Sequence, residues 1–184
     1  MSYRIFTDAT GDFPAKFAKD LNVTVLPMAF TMEDKEYHYI PGNSDMPIET
    51  FFDNMRAGKV ATTAQINAYT FIEAFEPVLK AGDDVLYIGF SSKLSGTLQS
   101  GLSAAAELRE KYPDRKILVV DSLSASLGEG LLVYYAARKQ NDMDVDALAA
   151  WTENNKLRFA HWFTVDDLVY LKRGGRISGA TAAI

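Results

Sequence analysis

The chain has 184 residues, of which 48% are hydrophobic and none is cysteine, and its formal net charge is -5. This length fits one domain, or one domain and part of another, with enough apolar side chains for a core. The acidic balance argues against nucleic acid or an anionic membrane surface as a partner, and the lack of cysteine excludes disulfides, thiolate-bound clusters and cysteine nucleophiles.

Strand and helix patterns alternate along the chain. In chain order the sequence predicts a strand at 3–7, a helix capped by Asp12, a strand at 23–32 with a hairpin partner at 36–40, a helix at 47–56 closed by Gly58, and a polar loop at 62–65. It then predicts a helix opened by a capping box of Thr70 and Glu73, a strand at 84–90, a helix from Ser95, a strand at 116–120, helices at 127–139 and 145–155, a strand at 159–165 and a short helix at 166–171.

This alternation is typical of βαβ units, so we predict an α/β fold with a parallel sheet covered by helices on both faces. A composition change at 141–144 predicts a boundary between an N-terminal ligand-binding domain, 1–141, and the beginning of a second α/β domain, 142–184. Residues 178–184 are small and apolar and lack a cap, which leads us to expect that a C-terminal part is missing. No apolar run has the roughly 18 residues of a membrane span and no signal segment is visible, so we expect a cytoplasmic protein without stable membrane insertion.

The most informative polar segment is Ser95, Gly96 and Thr97, which opens a helix directly after a buried strand. Ligands of open parallel sheets bind beyond the carboxyl ends of the strands. Free N–H groups and the positive end of the helix dipole suit a carboxylate or phosphate there, and Gly96 would let the ligand approach the backbone. The alternative is an N-capping serine on an ordinary helix.

Other polar residues offer a functional and a structural interpretation. Thr62 and Thr63 either add hydroxyls to the same anion site or cap the next helix. Asp8 and Asp121, the latter followed by Ser122, are either acid–base groups or caps of strand-end turns. The segment Lys172 to Arg176 places three cations, including Arg173 and Arg176, around two glycines, which indicates either an exposed basic turn or an anion or partner contact.

Templates for enzymes mostly fail. There is no Walker A loop, no Gly-x-Ser-x-Gly elbow and no Ser-x-x-Lys pair, and Gly128-Glu129-Gly130 lacks the third glycine of a dinucleotide fingerprint. Asp8-Ala9-Thr10 lacks the second aspartate of a haloacid-dehalogenase-type phosphatase. His38 and His161 lack the spacing of metal ligands. We therefore predict no catalytic residue, no metal and no cofactor.

Taken together, the polar segments resemble the DegV family of bacterial fatty-acid-binding proteins, and their order and spacing cover essentially the whole chain. The segments that carry the resemblance are Asp8-Ala9-Thr10-Gly11-Asp12-Phe13-Pro14, Val25-Leu26-Pro27, Thr62-Thr63-Ala64-Gln65, Ser91 to Ser100, Asp121-Ser122 and Leu171 to Ser178. The serine–glycine–threonine and double-glycine segments are the specific ones.

The resemblance implies a fatty acid held in a tunnel between two α/β domains, with its carboxylate presented to a partner kinase that phosphorylates it using ATP. By motif position, Thr63 and Ser95 would hold the carboxylate, and Arg173 and Arg176 would serve the head group or the kinase contact. Two departures matter. The family commonly has serine at the position of Ala64, and it is longer than this chain, with a histidine from the additional part completing the carboxylate site.

We therefore predict a subunit that binds a long-chain fatty acid, presents it to a fatty acid kinase and is not an enzyme on its own. Burial of an acyl chain contributes up to about 0.8 kcal/mol per CH₂ group, while a few hydroxyls fix the charged end. Two alternatives remain. One is a phospho- or acyl-transferase that uses Asp8 or Asp121 as a base, and the other is a regulatory module that binds something other than a lipid.

Overall fold

The structure, a computed structural model, describes residues 2–162, 164–165 and 167–178. The strands are β1 (Tyr3–Asp8), β2 (Val23–Leu26), β3 (Met28–Met32), β4 (Lys35–Tyr39), β5 (Ala61–Thr63), β6 (Asp84–Gly89) and β7 (Ile117–Asp121). The helices are α1 (Ala15–Asp20), α2 (Ile48–Arg56), α3 (Ala68–Lys80), α4 (Thr97–Lys111), α5 (Leu127–Arg138), α6 (Val145–Asn155) and α7 (Leu168–Arg173). Short 3-10 helices occupy Ala9–Gly11 and Lys156–Arg158.

The larger sheet has four parallel strands in the order β2-β1-β6-β7. Neighbouring residues of a strand point to opposite faces, and both faces are apolar here: Ile5 belongs to one buried cluster and Phe6 to the other. Helices α5 and α6 contribute to the first cluster, and helices α3 and α4 to the second. The predicted α/β fold, with helices on both faces of a parallel sheet, is confirmed.

A second sheet of three antiparallel strands, β4-β3-β5, was predicted only in part: the hairpin partner expected at 36–40 is observed as β4, paired with β3, whereas β5 was not predicted. The prediction of one strand over 23–32 is wrong, because Pro27 lacks the N–H that would continue the ladder. The chain leaves the larger sheet at Leu26 and enters the smaller one at Met28. The prediction of a loop at 62–65 is wrong in part, since Thr62 and Thr63 belong to β5.

Two predicted helix starts are also wrong. Asp12 does not cap α1, which begins after Pro14; it ends the preceding 3-10 turn in a left-handed conformation, with φ 47°. Helix α3 begins at Ala68, and its cap is Asn67, whose side chain accepts a hydrogen bond from the backbone N–H of Thr70. The predicted capping box therefore has its threonine inside the helix.

Residues on both sides of the predicted boundary at 141–142 contact the larger sheet. The hydroxyl of Tyr3 lies 3.0 Å from the carbonyl oxygen of Gln140 and 2.9 Å from that of Met143, and α6, predicted with its observed bounds, packs against β6 and β7. The division into two domains stays a prediction.

The C-terminal predictions are only partly covered by described residues. The strand predicted at 159–165 is wrong for the six of its residues that the structure describes, none of which is in a strand; position 163 lies outside them. The short helix is observed two residues later than predicted, as α7, and position 166 lies outside the described residues, as do 179–184. Within the described ranges, no helix has the length and apolar character needed to cross a membrane.

Candidate functional site

Asp8 ends β1 and is fully buried. Its Oδ1 accepts hydrogen bonds from the backbone N–H of Thr10, at 3.1 Å, and from the hydroxyl of the same residue. Its Oδ2 accepts from the hydroxyl of Tyr87 at 2.6 Å and from the backbone N–H of Phe90 at 3.2 Å. Because four donors already surround this carboxylate, its contacts indicate that it stabilises the turn after β1.

Asp121 ends β7, which is separated from β1 by β6, and Ser122 follows it; both residues play a similar part. Oδ1 of Asp121 accepts from the backbone N–H groups of Ser92 and Leu123, at 3.2 and 3.0 Å. The hydroxyl of Ser122 is buried and accepts from the backbone N–H of Ser124 at 3.1 Å. These contacts favour the interpretation of both residues as caps of strand-end turns.

Sequence reasoning missed a second buried carboxyl group beside Asp8. Glu129 on α5 is fully buried and accepts a hydrogen bond from the hydroxyl of Thr7 at 3.0 Å. Burial, and after it the charge of Asp8, raises the pKa of Glu129 well above its ordinary value. One signal was available: this glutamate stands one turn before the apolar residues Leu132 and Val133, in a helix that had to cover the sheet.

At the start of α4, where the sequence predicts an anion site, the hydroxyl groups of Ser95 and Thr97 already form hydrogen bonds within the protein. The Ser95 hydroxyl accepts from the backbone N–H of Thr97 at 3.2 Å and donates to the Thr97 hydroxyl oxygen at 3.0 Å. Thr97 is buried, and its hydroxyl oxygen also accepts from the backbone N–H of Ile66 at 3.2 Å. Gly96 is the N-cap residue and has no capping side chain of its own.

The segment that follows β5 is attached to this helix start. Besides the contact of Ile66, Nε2 of Gln65 donates to the hydroxyl of Ser100 at 3.2 Å, and the amide oxygen of Gln65 lies directly over Gly96. The structure therefore brings together the two predicted hydroxyl-bearing segments. No hydrogen bond joins Ser95 to Thr62 or Thr63 in the described part of the chain. In the sequence analysis, Gln65 is part of the segment Thr62-Thr63-Ala64-Gln65 but has no role of its own.

An apolar cavity of about 180 Å³ lies between the smaller sheet, α2 and the turn after β1. Its lining residues are Asp12, Met28, Phe30, Tyr39, Met46, Ile48, Phe51 and Thr63. The hydroxyl of Tyr39 donates to Oδ1 of Asp12 at 2.9 Å; burial and the nearby Asp12 carboxylate raise the pKa of Tyr39 to about 12. Among the residues predicted to bind the ligand, Thr63 lines this cavity.

A second depression, of about 320 Å³, has a larger polar share in its lining than the apolar cavity has, and we call it the arginine cleft. It is lined by Met55, Val60, Ala61, Thr62, Thr63, Tyr170, Arg173, Gly174 and Arg176. The structure thus places both predicted threonines beside both predicted arginines. Thr63 lines the arginine cleft as well as the apolar cavity. This hydroxyl-bearing residue therefore lies at the junction of the two.

No group of three or more histidine, cysteine, aspartate or glutamate side chains that could hold a metal ion occurs among the residues that the structure describes. His38 is exposed on β4, where its Nδ1 lies 3.2 Å from a carboxylate oxygen of Asp45. His161 lies against Gly128, at the start of α5.

A comparison with protein-family models gives one match, to the family described as an uncharacterised protein of the DegV family, over residues 2–184. Among curated proteins, a DegV domain-containing protein of Clostridium perfringens is 46% identical over 182 residues, which are 98% of this chain and 62% of that relative. The chain thus spans a little less than two thirds of the length of this relative.

Solved structures with the same fold include bacterial proteins described by the fatty acids that they bind. A DegV family protein of Thermus thermophilus, described for its fatty acid binding, is 34% identical with a TM-score of 0.84, and the match covers 100% of this chain and 64% of that one. The Fak B3 protein of the fatty acid kinase of Streptococcus pneumoniae, loaded with linoleic acid, shares the fold with a TM-score of 0.80 at 20% identity, over 100% of this chain and 64% of that one.

Proposed function

The chain belongs to the DegV family, and we propose that it binds a long-chain fatty acid whose carboxylate is held by the hydroxyls of Thr63 and Ser95. On binding, the Ser95 hydroxyl would donate its proton to the carboxylate instead of to the Thr97 hydroxyl oxygen. The observation that carries this proposal is the position of Thr63, which lines both the apolar cavity and the arginine cleft. An acyl chain with a charged end needs such a junction, because its methylene groups gain from burial while its carboxylate needs donors and positive charge.

The apolar cavity would take part of the acyl chain. Its volume of about 180 Å³ is smaller than the roughly 300–1,000 Å³ of most small-molecule pockets. We therefore assign it to a stretch of methylene groups near the carboxylate, against Phe30, Met46 and Phe51. Each buried CH₂ group contributes about 0.8 kcal/mol, so this contact favours binding without fixing the head group.

The arginine cleft would serve the head group or a protein partner. Arg173 and Arg176 present guanidinium groups beside Thr62 and Thr63, and such groups bind carboxylates and phosphates in a bidentate way. The Fak B3 protein, which has this fold, is named as part of a fatty acid kinase. We propose that a kinase phosphorylates the bound fatty acid with ATP in the cytoplasm and that this chain contributes binding rather than catalysis.

The alternative of a transferase that uses Asp8 or Asp121 is less well supported. Both oxygens of Asp8 already accept hydrogen bonds in the interior, and Asp121 accepts from two backbone N–H groups. A general base must reach the proton that it abstracts. Turnover of ATP or acyl esters by the protein alone, abolished by Asp8→Asn or Asp121→Asn, would replace the binding proposal with this alternative.

The proposal is tested first by extracting lipid from the purified protein and identifying it by mass spectrometry. It is then tested by titration with a fatty acid. Thr63→Val and Ser95→Ala should each weaken binding at least tenfold, because a hydrogen bond to a charged group contributes about 1.5–3 kcal/mol.

Matched controls are Thr50→Val on α2 and Ser103→Ala on α4, both exposed; the Ser103 hydroxyl bonds only to the backbone of its own helix. These variants should bind like the parent protein. Unchanged affinity in both site variants would remove Thr63 and Ser95 from the head-group site, and absence of any fatty acid binding would refute the function itself.

A further inference from the structure

The two hydroxyls of the proposed carboxylate site stand on different layers of the fold. Thr63 belongs to β5 in the smaller sheet, whereas Ser95 precedes α4, which packs on the larger sheet. Two hydroxyls bind one carboxylate well only when the distance between them is held constant. Something must therefore fix β5 relative to the start of α4.

Residues 65 and 66 make that connection. The backbone N–H of Ile66 donates to the Thr97 hydroxyl oxygen at 3.2 Å, and Nε2 of Gln65 donates to the Ser100 hydroxyl at 3.2 Å. Gly96 and Ser100 are one helical turn apart and share a face of α4, so one amide group can span both. Its oxygen lies over the helix N-terminus, where a partial negative charge is favourable.

The contact with Gln65, rather than the backbone conformation, explains why residue 96 is a glycine. Its φ of -78° and ψ of -2° are open to any L-residue. A Cβ at this position would nevertheless lie far inside van der Waals contact with the amide oxygen of Gln65, and no other residue's atom is among its three nearest. The Gln65 amide thus occupies the space of a side chain at position 96, and any larger residue would displace it.

We propose that Gln65 is a positioning residue, whose amide, seated on Gly96 and bonded to Ser100, holds Thr63 at the correct distance from Ser95 for a fatty acid carboxylate. This inference rests on the proposed function. It also gives Gly96 a different role from the one expected from its sequence, since the glycine accommodates the amide of Gln65 rather than the ligand.

The test is a double-mutant cycle with Gln65→Ala, Gly96→Ala and the double variant, and Gln99→Ala, an exposed glutamine on α4, as the matched control. Each variant is titrated with a fatty acid and with the fatty alcohol of the same chain length. Each single substitution should weaken binding of the acid about fivefold, the effect of losing one neutral hydrogen bond. The double variant should be no weaker than either single one, because both changes remove the same contact.

The fatty alcohol separates positioning from general damage. It has the same acyl chain but no carboxylate, so its affinity should change little in all four variants. Equal losses for acid and alcohol would overturn the proposal, because they would indicate a damaged cavity. Additive losses for the acid, or normal binding by Gln65→Ala, would also overturn it and would favour direct contact between Gly96 and the ligand.

Failure of the proposed function would look different. In that case the parent protein would bind neither ligand, and the positioning role would fall with it. Thermal unfolding of the same four variants without ligand would still report whether Gln65 and Gly96 interact, since the melting temperatures would again be non-additive.

Discussion

At the scale of single residues, the end of β1 has two buried carboxyl groups in one hydrogen-bonded cluster. Asp8 is surrounded by four donors, among them the Thr10 hydroxyl. Glu129 accepts from the hydroxyl of Thr7 at 3.0 Å, and its other carboxyl oxygen lies 3.4 Å from the Thr10 hydroxyl oxygen. A buried carboxylate is costly beside another, so burial and the charge of Asp8 keep Glu129 protonated to a pH well above its usual pKa.

Glu129→Gln should make the free energy of unfolding less dependent on pH. Above the ordinary pKa of 4.5, the unfolded chain releases the Glu129 proton while the folded protein retains it. The free energy of unfolding therefore falls as the pH rises from 4.5 through the raised pKa of the folded state. Glutamine is neutral and has a similar shape, so the variant should lose this fall. Urea unfolding between pH 4.5 and 8 measures it.

Glu110→Gln is the matched control for this prediction, because Glu110 is an exposed residue of α4. Its pH dependence should match that of the parent protein. If Glu129→Gln and the parent protein had parallel profiles, Glu129 would be ionised in the folded state at neutral pH, contrary to the direction that its burial imposes.

The residue scale also shows what the sequence could indicate. Thr62, Thr63, Arg173 and Arg176 were singled out from composition and motif, and the structure brings them together in the arginine cleft. Tyr39 was not singled out, and Gln65 was named only as part of the segment 62–65, because their importance comes from contacts with residues far away in the chain, Asp12 and Ser100. A spacing rule along one strand or helix cannot reveal such partners.

At the scale of elements, strands buried on both faces were the easiest to predict. No end of β1, β6 or β7 lies more than one residue from its predicted position. A run of apolar residues between turns has few alternative interpretations. The smaller sheet was harder. Its strand β4 was predicted to within one residue at each end, but β5 has only three residues, and the break at Pro27 interrupts an apolar run that is continuous in sequence.

Asn67→Ala should destabilise α3 and with it the protein. The Asn67 side chain accepts from the backbone N–H of Thr70 at 2.9 Å, which satisfies one of the free donors of the first turn. Removing an N-cap side chain costs about 1 kcal/mol of folding free energy. Urea unfolding should show a lower midpoint with an unchanged slope.

Thr70→Ala tests the competing prediction that Thr70 itself caps the helix. In the structure its hydroxyl only adds a bond to the Asn67 side chain, at 3.2 Å. Its removal should therefore cost less than the removal of Asn67. A larger loss from Thr70→Ala than from Asn67→Ala would show that helix α3 begins at the capping box that the sequence indicated.

At the scale of the whole molecule, the two sheets have very different cores. Among the described residues, each face of the larger sheet has a cluster of thirteen buried apolar residues, whereas the smaller sheet has three, Phe30, Met32 and Met46. Few buried contacts mean a low free energy of local opening. The smaller sheet should therefore open without unfolding of the larger one.

Tyr39→Phe should make this opening easier. The Tyr39 hydroxyl donates to Asp12, and the same aspartate accepts from the hydroxyl of Ser126 at 2.6 Å, so a chain of hydrogen bonds joins β4 to the start of α5. Loss of the first bond should lower the opening free energy of β3, β4 and β5 by about 1 kcal/mol. Native-state hydrogen exchange should show no equal change in β1 and β6.

Tyr37→Phe is the control, since Tyr37 stacks on Phe30 in the same sheet, with ring centroids 5.3 Å apart, and phenylalanine retains that contact. Its exchange profile should stay close to that of the parent protein. Uniform changes in both sheets of Tyr39→Phe would mean that the molecule opens as a single unit.

A ligand that bridges the two layers should change this balance in a particular way. The proposed carboxylate site combines Thr63 of the smaller sheet with Ser95, which precedes α4 on the larger sheet. The apolar cavity is lined mostly by residues of the smaller sheet and α2. Binding energy that is lost when β5 moves away must appear as a higher opening free energy of that sheet.

Saturating fatty acid should therefore slow exchange in β3 and β5 more than in β1 and β6, and Thr63→Val should reduce the difference. Equal slowing everywhere would indicate that the ligand stabilises only the global fold, and slowing confined to β6 and α4 would mean that the smaller sheet is no part of the site.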